Sequence, residues 1–105
     1  MELVNVSYYD LKNKIDDLLK KKVFITYKED KDYNITYKIG KITFHNRNDW
    51  EESDDESNFW IAINGIEVEI VDNTAKDIFK EIQLLYQGQN SNAKDTIKKY
   101  LSLRD

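Results

Sequence analysis

Cysteine is absent from this 105-residue chain. That excludes a disulfide framework, a cysteine-based zinc site and a thiol nucleophile, and it fits a reducing compartment. Proline is absent too, and only three glycines occur, at positions 40, 65 and 88. Neither G-x-x-x-x-G-K-[ST] nor G-x-G-x-x-G can be found, so the sequence argues against a nucleotide-dependent enzyme. No stretch approaches the 18 apolar residues of a spanning helix. The opening Met1-Glu2-Leu3-Val4-Asn5-Val6-Ser7 has neither the basic nor the apolar region of a secretory signal. A cytoplasmic location is the default expectation. The lack of proline, with heavy use of Lys, Asn, Asp, Ile and Tyr, matches the codon supply of an AT-rich genome such as that of a low-GC bacterium or its phage.

What is present is enough for one domain. A chain of this length buries roughly two thirds of the surface its unfolded form exposes, which allows one core without staples. The net charge is −4, and its placement is uneven. Residues 46–58 carry six of the 20 acids (Asp49, Glu51, Glu52, Asp54, Asp55, Glu56) and one of the 16 bases, Arg47. The rest of the chain is close to neutral, so the acidity belongs to one segment.

The hydrophobic pattern sets the expected elements. Ser7 with Asp10 forms a capping-box signature, and Leu11, Ile15, Leu18 and Leu19 follow as one helical stripe. Lys20, Lys21 and Lys22 suit the negative end of that helix. The period then changes to two: Val23, Ile25 and Tyr27 mark a first strand, and Tyr33, Ile35, Tyr37 and Ile39 a second. Past Gly40 the apolar set shifts to Ile42 and Phe44, which predicts a β-bulge and a bend at the glycine. Phe59, Ile61 and Ile63 make a third strand. Asn64-Gly65 is a type I′ hairpin signal leading to a fourth strand with Ile66, Val68 and Ile70. Thr74 and Asp77 suggest another capped helix, with Ile78, Phe79, Ile82, Leu85 and Tyr86 on one face and Gly88 as its C-terminal stop. Ala93, Ile97, Tyr100 and Leu101, with Lys94, Lys98 and Lys99 outside, predict a short last helix. The expectation is an α+β domain over residues 1–105: a four-stranded antiparallel meander with one N-terminal and two C-terminal helices. A bend at Gly40 would carry the sheet toward a small half barrel of SH3-like or Sm-like kind. The expected core is Leu11, Ile15, Leu18, Val23, Ile25, Ile35, Ile39, Ile61, Ile63, Ile66, Val68, Ile70, Ile78, Phe79 and Ile82.

Chemistry-bearing motifs are few. The single histidine, His45, precedes the acidic segment, but no nucleophile motif, H-x-x-x-H or H-x-E accompanies it. A catalytic or metal-binding His45 is therefore outweighed by a surface histidine. The acids lack the alternating spacing and glycine of a calcium loop, and six solvated acids lack the dry setting of a catalytic pair. Nothing calls for a cofactor, and no catalytic or metal-ligating residue is assigned. Two binding readings remain. In the leading one, Asp49, Trp50, Glu51, Glu52, Asp54, Asp55 and Glu56, closed by Trp60, engage a basic protein surface, with tryptophan supplying contact area and the acids steering the approach. Such a run imitates a row of phosphates, so the expected class is a non-enzymatic phage or mobile-element inhibitor, of anti-CRISPR or other anti-defence type, acting on a host nuclease or similar protein. In the alternative, a small barrel stacks single-stranded nucleic acid on Tyr27, Tyr33 and Tyr37 beside Lys28, Lys38 and Lys41. The overall acidity opposes direct nucleic-acid binding. The bland reading of residues 46–58 is a solvated, mobile loop.

Overall fold

A computed structural model describes the backbone of residues 4–52 and 54–102, and the side chains of residues 4–52 and 54–89. The described chain runs β1 (Val4–Val6), α1 (Tyr8–Lys20), β2 (Thr26–Glu29), β3 (Ile35–Ile39), β4 (Ile42–Asn46), β5 (Phe59–Ile63), β6 (Ile66–Ile70) and α2 (Ala75–Ser102). The strands form a six-stranded sheet in the order β1-β6-β5-β4-β3-β2. Strands β2 to β6 are an antiparallel meander, and β1 lies parallel to β6 with Val4 opposite Val68. Among the described residues the sheet is therefore mixed and six-stranded, with two α-helices. This overturns the expected four-stranded meander with three helices.

Four causes account for the difference. Strand β1 is three residues long, and its partner lies far along the chain, so no local pattern announces it. At Gly40 the chain does not bulge. It makes a two-residue turn that pairs Ile39 directly with Ile42, and Gly40 takes a positive φ of 59° there. Residues i and i+3 flanking such a turn share a face, which reproduces the odd-to-even shift of the apolar set. The first meander strand starts late because its lead-in is claimed elsewhere. The Val23 N–H bonds the Leu18 carbonyl and the Lys22 N–H bonds that of Leu19, with Lys22 at φ 64°, which closes α1 in a Schellman motif. Gln89 of α2 then takes both backbone groups of Ile25: its Oε1 accepts from the N–H and its Nε2 donates to the carbonyl, each at 3.1 Å. That same pair of bonds fastens α2 just beyond Gly88, and the helix continues through the glycine, whose helical cost is only about 1 kcal/mol. The expected face of a separate last helix, from Ala93 onward, lies outside the residues whose side chains are described.

Other expectations hold. The Asp10 N–H bonds Ser7 Oγ, and the Asp77 N–H bonds Thr74 Oγ1, each at 3.1 Å. Asn64 and Gly65 both have positive φ, at 54° and 78°, in the hairpin of β5 and β6.

Both helices contribute to one core on one face of the sheet. Leu11 and Ile15 of α1 join Ile78, Phe79 and Ile82 of α2 over Tyr37, Ile39, Ile42, Phe44, Phe59, Ile61, Val68 and Ile70. Leu18, Val23, Ile35 and Ile63 pack at its margin, while Ile66, expected inside, is exposed beside the hairpin turn. Strands β1 and β2 are the two opposite edges, so α1 must carry the chain across the whole sheet. Five interstrand spacings amount to about 24 Å, and a 13-residue helix rises about 20 Å. This crossing leaves an open sheet rather than the expected half barrel, and among the described residues no pairing joins its edges. Among the described residues no helix is long and apolar enough to cross a membrane.

Candidate functional site: an acidic loop beside an open sheet face

Residues 47–58 join β4 to β5, and a web of hydrogen bonds holds the described part of this segment, 47–52 and 54–58. At the base, the Arg47 N–H donates to the Asn58 carbonyl at 2.8 Å. Asn58 is almost fully buried, at 1 % exposure. Its Nδ2 donates to the Glu52 carbonyl at 2.6 Å, and its Oδ1 accepts from Arg47 Nε and Nη2 at 3.3 and 3.0 Å. One side chain thus ties both ends of the loop to its middle.

The acids divide by length of side chain. Aspartate is short enough to close onto backbone N–H groups two residues ahead. Asp49 Oδ1 accepts from the N–H groups of Glu51 and Glu52. Asp55 Oδ1 accepts from that of Ser57 at 2.8 Å, starting a single 3-10 turn over Glu56–Asn58. The Ser57 backbone bond is also the main cause that holds the Asp55 carboxyl below its ordinary pKa. Asp54 faces α2: its carbonyl accepts from Lys76 Nζ at 2.7 Å, and its carboxylate lies 3.9 Å from Lys80 Nζ. The aspartates build the loop. The glutamates, Glu51, Glu52 and Glu56, are exposed.

A second loop buttresses this one. In the β2–β3 turn, Asp30 accepts from the N–H groups of Asp32 and Asn34 and from Asn34 Nδ2, bonds that lower the Asp30 pKa, with the Asn34 side chain foremost. Asn34 Oδ1 then accepts from the Asn48 N–H at 2.7 Å, and Asn48 Nδ2 donates to the Asp32 carbonyl at 3.1 Å. Hydrogen bonds thus tie the loop to the β2–β3 turn and to α2, while its glutamates remain solvated. Trp50 stands on it at 86 % exposure.

Trp60 is not on the loop itself. It sits on the sheet face away from the helices, opposite His45 of β4. The two rings stack at 5.0 Å with planes 9° apart. His45 Nε2 hydrogen-bonds with Thr43 Oγ1 at 2.8 Å, and Nδ1 with Thr36 Oγ1 at 3.2 Å. Burial of the ring lowers its pKa, with the Glu67 charge opposing. Both ring nitrogens thus have hydroxyl partners, and the ring packs flat on an indole. The register places Lys28 and Lys38 on this open face toward β2, and Glu67 and Glu69 toward β6.

Of the three tyrosines expected to stack bases, one is buried and two are exposed. Tyr37 is buried, and Tyr27 packs against it and against Tyr86 of α2, with centroids 5.4 and 5.8 Å apart. Tyr33 is exposed in the β2–β3 turn. Among the described residues no group of three or more His, Cys, Asp or Glu is arranged to hold a metal ion. Asn58, Asn34 and Asn48, which order the site, were not singled out by sequence. Their only signal is the Asp-x-polar spacing of Asx turns around them. Comparison of the chain with family models, curated proteins and solved structures gives no match.

Proposed function

We propose that the protein is a non-enzymatic binding protein that docks on a basic protein surface through residues 49–56. The observation that carries this reading is Trp50, 86 % exposed on a backbone pinned from several sides. A large aromatic held outward on a hydrogen-bonded loop costs little entropy on binding and supplies contact area. The surrounding Glu51, Glu52 and Glu56 supply the field that steers a cationic partner. In its specific form, the protein occupies the nucleic-acid groove of a host nuclease or related enzyme, as an inhibitor of anti-defence type carried by a phage or mobile element. The engagement of both His45 nitrogens by threonine hydroxyls supports binding over catalysis. Burial of Tyr37 removes one of the three tyrosines that a single-stranded nucleic-acid reader would stack bases on, while Tyr27 and Tyr33 stay exposed.

The test separates steering from folding. The triple variant Glu51→Gln, Glu52→Gln and Glu56→Gln leaves the aspartate-built backbone in place, and Trp50→Ala removes the contact. Capture from a bacterial lysate, at low and high salt, should show a basic partner that is lost with high salt and weakened in both variants. A partner held equally by wild type and the triple variant at every salt concentration would refute the loop as the docking element.

A further inference from the structure

The sheet forks where β5 meets β6. Their pairing runs from Ile63 opposite Ile66 to Ile61 opposite Val68. Beyond that, β6 stays with β1, with Glu69 opposite Asn5, while β5 stays with β4, with Trp60 opposite His45. A groove of about 370 Å³ occupies the fork. Phe59 and Val68 lie against the core at its floor. Its charged lining residues are Glu56, Glu67 and Glu69, with no lysine or arginine among them. Trp60 lines it from the β5 side. His45 covers one face of that indole from β4, and β6 with its glutamates lies on the other side of β5.

We infer that this groove receives an arginine side chain from the partner's surface, its guanidinium stacked on Trp60 and bonded to the glutamates of the rim. The inference rests on the proposed binding of a basic protein and names the chemistry of the contact. Charge complementarity fixes the sign of the occupant: Thr74 and Ala75 bring the positive end of α2 to the groove, worth about half a unit charge, and the three carboxylates outweigh it and, with an aromatic face, call for a cation. Their arrangement fixes its shape. Among the described residues no group of three or more carboxylates is arranged to hold a metal ion. A guanidinium is planar, carries five N–H groups directed to several sides, and lies flat on an indole while donating at its edge. His45, with its pKa lowered by burial, leaves the Trp60 side of the groove without a competing charge near neutral pH.

The probe is N-acetyl-arginine amide, which needs no identified partner. Its neutral isostere, N-acetyl-citrulline amide, is the control. Backbone and indole N–H resonances are followed by NMR, with Trp50→Phe used to assign the Trp60 indole. Expected are saturable shifts at the Trp60 indole and at the Glu67 and Glu69 amides with arginine and not with citrulline. Affinity should drop about tenfold in the double variant Glu67→Gln, Glu69→Gln, and should drop in Trp60→Leu, which keeps an apolar side chain. Glu67 and Glu69 are exposed, so the double variant keeps the fold. Equal shifts with citrulline, wild-type affinity in the double variant, or shifts confined to Trp50 would each overturn the assignment. The double variant Glu51→Gln, Glu52→Gln leaves all three groove carboxylates in place, and it fails or succeeds in partner capture independently of this titration, so loss of the loop reading and loss of the groove are told apart.

Discussion

Replacing Asn58 with alanine tests whether the acidic loop is ordered by the bonds described. The substitution removes one donation to the Glu52 carbonyl and two charge-assisted acceptances from Arg47. A neutral hydrogen bond contributes about 1 kcal/mol net, and one to a charged group about 1.5–3 kcal/mol when desolvated. Arg47 is exposed and recovers water when released, so its share belongs below that range. The expected loss is about 2 kcal/mol, a sizeable part of the 5–15 kcal/mol typical of a domain. For a domain near this size it lowers Tm by about 10 °C. Urea and thermal unfolding, followed through tryptophan emission, measure the global loss. Hydrogen exchange measures the local one, and the amides of Arg47, Asp55 and Asn58 should lose more protection than the sheet does. Asn58→Asp sharpens the test. It keeps an acceptor for Arg47 but sets an oxygen against the Glu52 carbonyl, so its instability should ease at acid pH, where the carboxyl regains a proton to donate. If Asn58→Ala unfolds within about 0.5 kcal/mol of wild type and loop exchange is unchanged, the bracing argument is wrong.

Two further outcomes follow from the fold. Lys22→Gly should stabilise the protein by about 0.5–1 kcal/mol in urea unfolding, because Lys22 holds the left-handed φ of the Schellman position, which glycine adopts without a Cβ clash; a destabilised variant would contradict this. For His45, whose folded-state pKa is lowered chiefly by burial, the unfolded chain takes up a proton near pH 6.5 that the folded chain resists, so stability is complete above about pH 6.5 and declines as pH falls toward the folded-state value. His45→Gln should flatten that slope between about pH 7 and pH 5, and an unaltered slope would remove His45 as its source.

Legibility in the sequence tracks how local each cause is. The Asn64-Gly65 hairpin and the Ser7 and Thr74 caps are decided within a few residues, and their residue types name their geometry. Gly40 is equally local yet ambiguous: a bulge and a two-residue turn both shift an apolar alternation from odd to even positions. Only the pairing of Ile39 with Ile42 distinguishes them. Strand β1 and the claim of Gln89 on Ile25 depend on partners 64 residues away. No window of periodicity contains them, and they decide the strand count and the continuity of α2.

The candidate site divides along the same line. Its charge is legible, because counting acids needs no geometry. The work each acid does is not. Asp49 and Asp55 point their carboxylates at nearby N–H groups, so their first effect is to shape the backbone, while Glu51 and Glu52, one methylene longer, stay exposed between them. A count of negative charge treats the two kinds as equal. The brace on Asn58 is less legible still, since it requires an arginine 11 residues earlier and a carbonyl six residues earlier to converge on one buried amide. This has a consequence for substitutions in the loop. Neutralising all six acids would perturb shape and field together, and a loss of binding would then carry no single meaning. Neutralising only the glutamates alters the field on a backbone whose bonds remain, which makes the electrostatic part of the proposed docking separable from the structural part.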